Sequence, residues 1–430
     1  MSGDKLYIGM LGMGTVGRGV YRIITGNGEN IKRKIGAELE IKKILVRDTT
    51  KDRGIAVPPE RFTTKLEDIV DDPEIKIVVE VMGGIDPTLD YVSKALQNGK
   101  SVVTANKDML AAHGKQLFAL SEANNTDLLF EGSVGGGIPI IRPLKQCLAA
   151  NRISRIIGII NGTTNYMLSK MTREGANFDD VLREAQAKGY AEADPTADIE
   201  GYDAARKLAI LASIAFNSRI VPDDVYVEGI TKITPTDINY AGELNYITKL
   251  LGIAKETAEG IEVRVHPTLI PRQHPLAAVN DVYNAIFVTG DTIGDTMFYG
   301  RGAGEMPTAS AVVADIMDAA RDLLRNVPGI ISCTCFEEKP VKDIMAIESK
   351  YYVRLQVDDK PGVLASIAYA FGDKDVSLAS VLQKQTDTVT AEIVVITHLV
   401  REKNMQEALE IIKHLSSVKE ISNVIRVEDE

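Results

Sequence analysis

Cysteine is scarce in this chain, with 3 among 430 residues. Cys147, Cys333 and Cys335 make an odd number and lack zinc-type spacing. That pattern speaks against a disulfide framework or a structural metal site and fits free thiols in a reducing cytosol. If Cys333-Thr334-Cys335 is a strand, both thiols share one of its faces. Long apolar runs are missing too: none approaches the ~18 residues of a spanning helix. No long basic run occurs, and the formal net charge is −11. Nucleic acid and anionic membranes are therefore poor partners. The opening Met1-Ser2-Gly3-Asp4-Lys5 has no signal-peptide core, so a cytoplasmic location is expected. Histidines number 5. His266 and His274 each precede a proline, with no further ligands close by, and are expected to be structural.

What the chain does have begins at its amino end. The apolar run Tyr7-Ile8-Gly9-Met10-Leu11 leads into Gly12-Met13-Gly14-Thr15-Val16-Gly17. A bare G-x-G-x-x-G is weak, because glycine makes up 35 of the residues. Here it lies between a strand and a helix expected over Thr15–Ile24. Gly12 suits a tight turn, Gly14 a close approach to phosphate and Gly17 close helix–strand packing. The helix start offers N–H groups and a positive dipole end to a pyrophosphate. The second strand, Leu39–Val46, runs into Arg47-Asp48. An acid there suits the ribose hydroxyl of NAD, and an arginine suits the 2′-phosphate of NADP. Arg47 favours NADP, with NAD as the alternative.

A second segment carries acids: Gly189-Tyr190-Ala191-Glu192-Ala193-Asp194-Pro195-Thr196-Ala197-Asp198-Ile199-Glu200-Gly201-Tyr202-Asp203, with Lys207 four residues on. Asp203 and Lys207 share one face of a helix over Tyr202–Phe216 that is apolar nearly all round and hence buried. Burial and the positive helix end disfavour an ammonium, while the nearby carboxylates favour it. A lysine so balanced can take or give a proton; the plainer reading is an i, i+4 salt bridge. Glu192, Asp194, Asp198 and Glu200 need a cation. The spacing is wrong for a calcium loop, which leaves a substrate ammonium or a solvated acidic loop. Asn161-Gly162-Thr163-Thr164-Asn165-Tyr166 reads either as a cap or as donors facing a ligand. Thr104-Ala105-Asn106-Lys107 follows a parallel strand, where ligands bind in open α/β sheets.

The organisation is α/β throughout. Strands at Tyr7–Leu11, Leu39–Val46, Ile77–Met82, Ser101–Thr104 and Asp127–Phe130 alternate with helices such as Pro87–Gln97 and Asp108–Ala123. This predicts a doubly wound parallel sheet over residues 1–130. An α+β substrate and dimerisation domain is expected over 131–306. It starts at Glu131-Gly132-Ser133-Val134-Gly135-Gly136-Gly137-Ile138-Pro139 and holds strands Ile153–Ile160, Ile261–Val265 and Ala285–Thr289. A buried helix over Pro307–Asn326 is expected to pack back on the first domain. Ser332 to Ser349 reads as a linker. Residues 350–430 read as a separate βαββαβ ferredoxin-like unit. Its strands are Tyr351–Val357, Ser377–Gln385, Val389–Thr397 and Ile421–Val427, with a turn at Thr386-Asp387.

These motifs, with Gly300-Arg301-Gly302-Ala303-Gly304-Glu305-Met306-Pro307-Thr308-Ala309, make the whole chain resemble the homoserine dehydrogenases, in the long bacterial form with a C-terminal ACT domain. The resemblance implies NAD(P)-dependent interconversion of L-homoserine and L-aspartate 4-semialdehyde, physiologically towards homoserine, in threonine, methionine and isoleucine biosynthesis. It implies that Lys207 is the acid/base, that Lys107 lies between nicotinamide and substrate, and that Asp203, Glu192 and Asp198 hold substrate, joined by Thr163 and Tyr190. Cofactor contacts are implied at Gly12, Gly14, Thr15, Val16, Gly17, Arg47, Thr104, Lys107, Gly189, Gly304 and Glu305. Backbone around Glu131, Val134, Gly136 and Ile138 holds a sodium ion in some members. Asp359-Lys360-Pro361-Gly362-Val363-Leu364 matches the amino-acid-binding turn of ACT domains; threonine is the expected effector, and a homodimer or homotetramer the expected assembly. The competing readings are a non-catalytic amino-acid and nucleotide sensor, which would not need Lys207, Asp203 and Lys107, and a dehydrogenase of a related amino-acid aldehyde.

Overall fold

The computed structural model describes residues 5–385 and 389–429. The chain divides into two compact units. One comprises Met1–Ile156, Arg206–Asp223 and Asn284–Glu338; the other comprises Ile157–Ala205, Asp224–Tyr283 and Lys339–Glu430.

In the first unit, strands β1 (Lys5–Leu11), β2 (Glu38–Leu45), β3 (Phe62–Thr63), β4 (Ile75–Glu80), β5 (Ser101–Thr104) and β6 (Leu128–Leu129) form a parallel sheet in the order β3-β2-β1-β4-β5-β6. This is the doubly wound sheet expected, and its strand order reverses between β1 and β4, where such sheets bind ligands. The central strands are apolar and buried because helices cover both faces. β4 ends two residues before the expected Met82. The cause is Glu80, whose Oε1 accepts from the N–H groups of Met82 (2.9 Å) and Gly83 (3.0 Å) and turns the chain out of the sheet. The short β3 falls in a stretch where no strand was expected.

Helix Glu305–Arg325 starts two residues earlier than the sequence suggests. Its Ala309, Val312, Ile316, Ala319 and Ala320 join Ile8, Met10 and Val20 in one core. Gly19 allows this approach: a Cβ there would lie 2.7 Å from the Ala309 methyl and from the Glu305 carbonyl.

The second unit is built on a long antiparallel hairpin, Tyr246–Thr257 against Gly260–Pro271. Strand Val418–Val427 pairs in parallel with Gly260–Pro271 at Thr268 and Leu269. Glu348–Asp358, Thr390–Thr397 and Leu378–Gln385 follow in antiparallel order. Helices Val363–Asp373 and Glu402–Lys413 complete the βαββαβ order, around a core that includes Leu355, Ile367, Phe371, Ile393, Met405 and Ile412. The turn expected at Thr386-Asp387 lies outside the described residues.

Where the sequence suggests a linker from Ser332 to Ser349, the backbone is bound. Glu337 bridges Ser218 in the first unit, and Val341 bridges Ile261 in the second. Cys333-Thr334-Cys335 is irregular chain, not a strand. Among the described residues no helix is long and apolar enough to cross a membrane.

Candidate active site

The nucleotide half is built at the end of β1. Gly12 has φ +103, and a Cβ there would press on the Met82 backbone at 3.0 Å. At Gly17 a Cβ would meet the Gly12 carbonyl at 2.7 Å. Gly14 has nothing within 4 Å of its would-be Cβ, so its surface is open to a ligand. Gly14 is also the N-cap of helix Thr15–Gly26, and no side chain caps that end. Thr15 and Val16 open the helix, so their backbone belongs to the anion-binding end.

A cleft of about 600 Å³ joins Gly12, Met13 and Gly14 to Arg47, Lys51 and Arg53. Asp48, the alternative ribose ligand, is turned into its own loop. Its Oδ1 accepts from the Thr50 N–H (2.8 Å) and hydroxyl (2.7 Å), bonds that hold its carboxyl below the usual range. Arg53 is held in place as well, donating to the carbonyls of Asp48 and Lys51 and lying over the Phe62 ring. The cleft is thus lined by the basic side chains of Arg47, Lys51 and Arg53.

Lys107 is the first residue of helix Lys107–Ala123, placed by the Asn106 cap, which accepts from the Met109 N–H and donates to the Gly84 carbonyl at 2.6 Å. Thr104 supports that turn from within. Its hydroxyl donates to the buried Glu80 at 2.5 Å and accepts from the Asn106 N–H. Glu80, which the sequence reading passed over, knits the loops after β4 and β5 together; burial pushes its carboxyl pKa up.

Gly304 (φ +128) caps helix Glu305–Arg325, while the Glu305 carboxylate is taken by Arg22 (2.8 Å) and Arg18 (3.3 Å). At the glycine-rich turn, the Glu131 carboxylate accepts the N–H groups of Ile140, Ile141 and Arg142. Gly135 and Gly136 follow at φ +73 and +56, and a Cβ on Gly136 would meet the Gly302 carbonyl at 2.4 Å. Among the described residues no group of three or more His, Cys, Asp or Glu is placed to hold a metal. Backbone carbonyls of Glu131, Val134, Gly136 and Ile138 are hard donors and fit a hard cation.

In the second unit an acidic cluster turns on Asn161. Its Oδ1 caps helix Gly162–Glu174 by accepting from Thr164, and its Nδ2 donates to Asp198 at 2.7 Å and to Asp203 at 3.0 Å. One amide thus gathers two carboxylates; Asp203 is buried and Asp198 half-buried. Thr163 donates to the Tyr190 carbonyl at 2.7 Å, and the Tyr190 ring packs edge-on against Tyr166. Gly189 (φ +73) follows helix Phe178–Ala187, and Asn177 precedes that helix without a side-chain cap bond.

The four loop acids are not one cluster. Asp194 is exposed and accepts from the Thr196 N–H, and Glu192 is exposed. The loop is packed at its far end: a Cβ on Gly229 would sit 2.3 Å from the Ile199 carbonyl. Helix Tyr202–Ala215 carries Asp203 in its first turn and the half-buried Lys207 one turn later. Asn165 is structural, bonding the carbonyls of Asp281 and Tyr283. His266 and His274 are structural too: His266 is fully buried beside Thr268, and His274 caps a short 3-10 turn.

Comparison with known proteins agrees with this geometry. The family model described as homoserine dehydrogenase, NAD binding domain matches residues 12–131, that of homoserine dehydrogenase matches 139–317, and that of the ACT domain matches 351–416. A homoserine dehydrogenase of Synechocystis is 47% identical, over 98% of this chain and 99% of its own. A solved homoserine dehydrogenase from Thiobacillus denitrificans superposes with TM-score 0.95 at 44% identity, covering all of both chains. A hyperthermophilic archaeal homoserine dehydrogenase in complex with NADPH covers 73% of this chain and 97% of its own, with TM-score 0.63 at 30% identity. The chain belongs to the homoserine dehydrogenase family and carries its NAD(P)-dependent oxidoreductase activity on L-homoserine and L-aspartate 4-semialdehyde.

Proposed function

We propose that Asp198 and Asp203 receive the substrate ammonium and that Lys207 handles the proton of the reacting oxygen. The observation that carries this reading is the Asn161 amide bonded to both carboxylates. Two acids held together by one neutral donor favour a cation between them. Glu192, exposed at the loop, adds negative charge at its mouth; Thr163 and Tyr190 shape that loop. In the oxidative direction, Lys207 in its amine form takes the hydroxyl proton as the carbinol carbon gives up its hydride; in reduction the ammonium returns it. NADP supplies the hydride acceptor or donor when bound. Lys107, at a helix start after a parallel strand, serves the carbinol oxygen and the nicotinamide end.

Arg47 and Lys51 meet the 2′-phosphate, because Asp48 is committed to Thr50. A sodium ion at the carbonyls of Glu131, Val134, Gly136 and Ile138 would rigidify the glycine turn. The domain roles are dinucleotide binding for residues 1–130, substrate binding and dimerisation for 131–306 and amino-acid sensing for 350–430. Threonine is the effector, the assembly a homodimer or homotetramer and the compartment the cytoplasm.

The test is absorbance at 340 nm with homoserine and each cofactor. Lys207→Ala is expected to lower kcat by ~10²–10⁴-fold with NADP binding intact, whereas Asn161→Ala mainly raises the KM for homoserine. A Lys207→Ala enzyme with more than half of normal turnover would reduce Lys207 to a salt-bridge partner. Arg47→Ala should weaken NADP far more than NAD; equal losses would refute the phosphate role.

A further inference from the structure

Three cysteines enter none of this chemistry, and two of them stand together. Cys333 and Cys335 sit on irregular chain, both half-buried, in the first unit with residues 206–223. The segment is laced to the end of helix Tyr202–Ala215. Asn217 Nδ2 donates to the Thr334 carbonyl at 3.0 Å, the Glu337 N–H donates to the Asn217 carbonyl at 2.9 Å, and Cys335 Sγ reaches the Ser213 carbonyl at 3.7 Å.

Two cations face the sulfurs. Arg219 Nη2 donates to Cys333 Sγ at 3.7 Å, and its guanidinium is seated against Gly114, where a Cβ would come within 3.0 Å of Nη1. Lys145 lines the same small cavity, its ammonium over the rings of Phe118 and Phe130 at 5.0 and 5.1 Å. The two sulfurs, two residues apart on the same segment, line that one cavity together.

We propose that Cys333 and Cys335 form a hydroperoxide-sensitive thiol pair, with Cys333 as the attacking sulfur and Cys335 as the resolving one. The neighbouring Cys335 with its backbone N–H, and the charges of Arg219 and Lys145, hold the Cys333 thiol below the ordinary thiol value against the effect of burial, whereas Cys335 is pushed up. Cys333 therefore ionises before Cys335, and the thiolate is the form that attacks peroxides.

The thiolate attacks one peroxide oxygen and the O–O bond breaks. The departing hydroxide takes a proton and leaves as water, and Cys333 becomes a sulfenic acid. The Cys335 sulfur then attacks Cys333, expelling the sulfenic oxygen as a second water. Overall, two thiols and one hydrogen peroxide give one disulfide and two waters. Residues two apart have Cα atoms at most ~7 Å apart, which overlaps the range that disulfides span. Bridge formation takes Cys335 off the Ser213 carbonyl at the end of the helix that carries Lys207.

The test uses the full chain with the exposed Cys147 replaced (Cys147→Ser), reduced and then exposed to a few equivalents of hydrogen peroxide. The expected result is loss of both remaining thiols and a mass decrease of two hydrogens, reversed by dithiothreitol. With Cys335→Ser added, the product should be a single sulfenic acid that a cyclic 1,3-diketone traps. With Cys333→Ser instead, the protein should stay unmodified at that dose. At pH 6.5, iodoacetamide should label Cys333 at least ~10-fold faster than Cys335, because the former ionises first. Equal labelling rates, stepwise gain of oxygens without a bridge, or bridging only between separate chains would each overturn the proposal.

Discussion

Asn161 shows how one side chain can set a site that spacing alone leaves open. Its motif reads equally as a helix cap or as a ligand-facing turn; the structure shows the cap, Oδ1 on Thr164, and adds bonds from Nδ2 to Asp198 and Asp203. The acid-rich loop was legible as acidic, yet its spacing alone did not rank Glu192, Asp194, Asp198 and Glu200, and only the resemblance singled out Glu192, Asp198 and Asp203. Which of them converge depends on contacts between residues 161, 198 and 203 that no local pattern encodes. The histidines, by contrast, were legible as structural. His266 is buried, and burial pushes its pKa well below the ordinary value, with Arg426 and Arg264 adding to the effect. A folded-state pKa below the unfolded value means that the unfolded chain binds the extra proton, so stability falls as pH drops below about 6.5. Urea midpoints of the wild type and His266→Asn should therefore converge on acidification, the wild type losing about 1.4 kcal/mol more per pH unit below that point. Parallel pH profiles would show that His266 titrates normally.

Elements were legible where periodicity and caps agree, and obscure where burial is two-sided. The β1 turn, helix Thr15–Gly26 and helix Lys107–Ala123 follow from glycines, dipole ends and apolar spacing. Strand Tyr246–Thr257 does not. Its Leu250, Leu251, Gly252, Ile253 and Ala254 form a continuous buried run, with the buried Lys249 before it, and such a run cannot be told from a buried helix by period. Strand Gly294–Arg301 fails for the opposite reason, being exposed along alternate residues with few apolar ones between. The segment from Tyr226 to Ile230 illustrates what an unread element can do. It pairs with Gly260–Pro271 at Tyr226 and Val227, and the Ile230 N–H donates to the Ile199 carbonyl at 2.8 Å. Gly229 faces that carbonyl with no room for a methyl group. Gly229→Ala should push the Ile199–Gly201 turn away and raise the KM for homoserine several-fold, while NADP affinity and secondary structure stay unchanged. Steady-state kinetics with each substrate varied in turn will decide, and an unaltered KM would mean that the turn's position does not matter to substrate.

At the scale of the whole molecule, the C-terminal βαββαβ segment is less separable than its sequence suggests. Its order and apolar core were readable from alternation and stripe patterns. Its attachment was not, because the pairing of Val418–Val427 with Gly260–Pro271 is a long-range event. Charged groups reinforce that attachment within the second unit. The buried Arg264 lies against Glu262 (2.9 Å) and Glu428 (3.5 Å), and Lys255 reaches Glu428 at 2.7 Å. Arg426 joins Glu228 and Glu402, each at 2.9 Å, and Arg354 joins the fully buried Asp237 at 2.7 Å. Ending the chain at Ser349 would strip partners from Arg264, Glu228 and Asp237 and bare a strand edge. Breaking even one buried pair from one side typically costs about 3–5 kcal/mol. The truncated protein is therefore expected to aggregate or unfold at a lower temperature, not to persist as an unregulated enzyme; thermal unfolding and light scattering of the two forms will check this. Regulation must then be tested on the full chain. Gly362 starts helix Val363–Asp373 at φ +90, a conformation that valine resists. Gly362→Val should abolish any response to millimolar threonine while basal turnover is retained. A folded, active protein ending at Ser349 would show instead that the strand pairing and its ion pairs add little to the stability of the catalytic part.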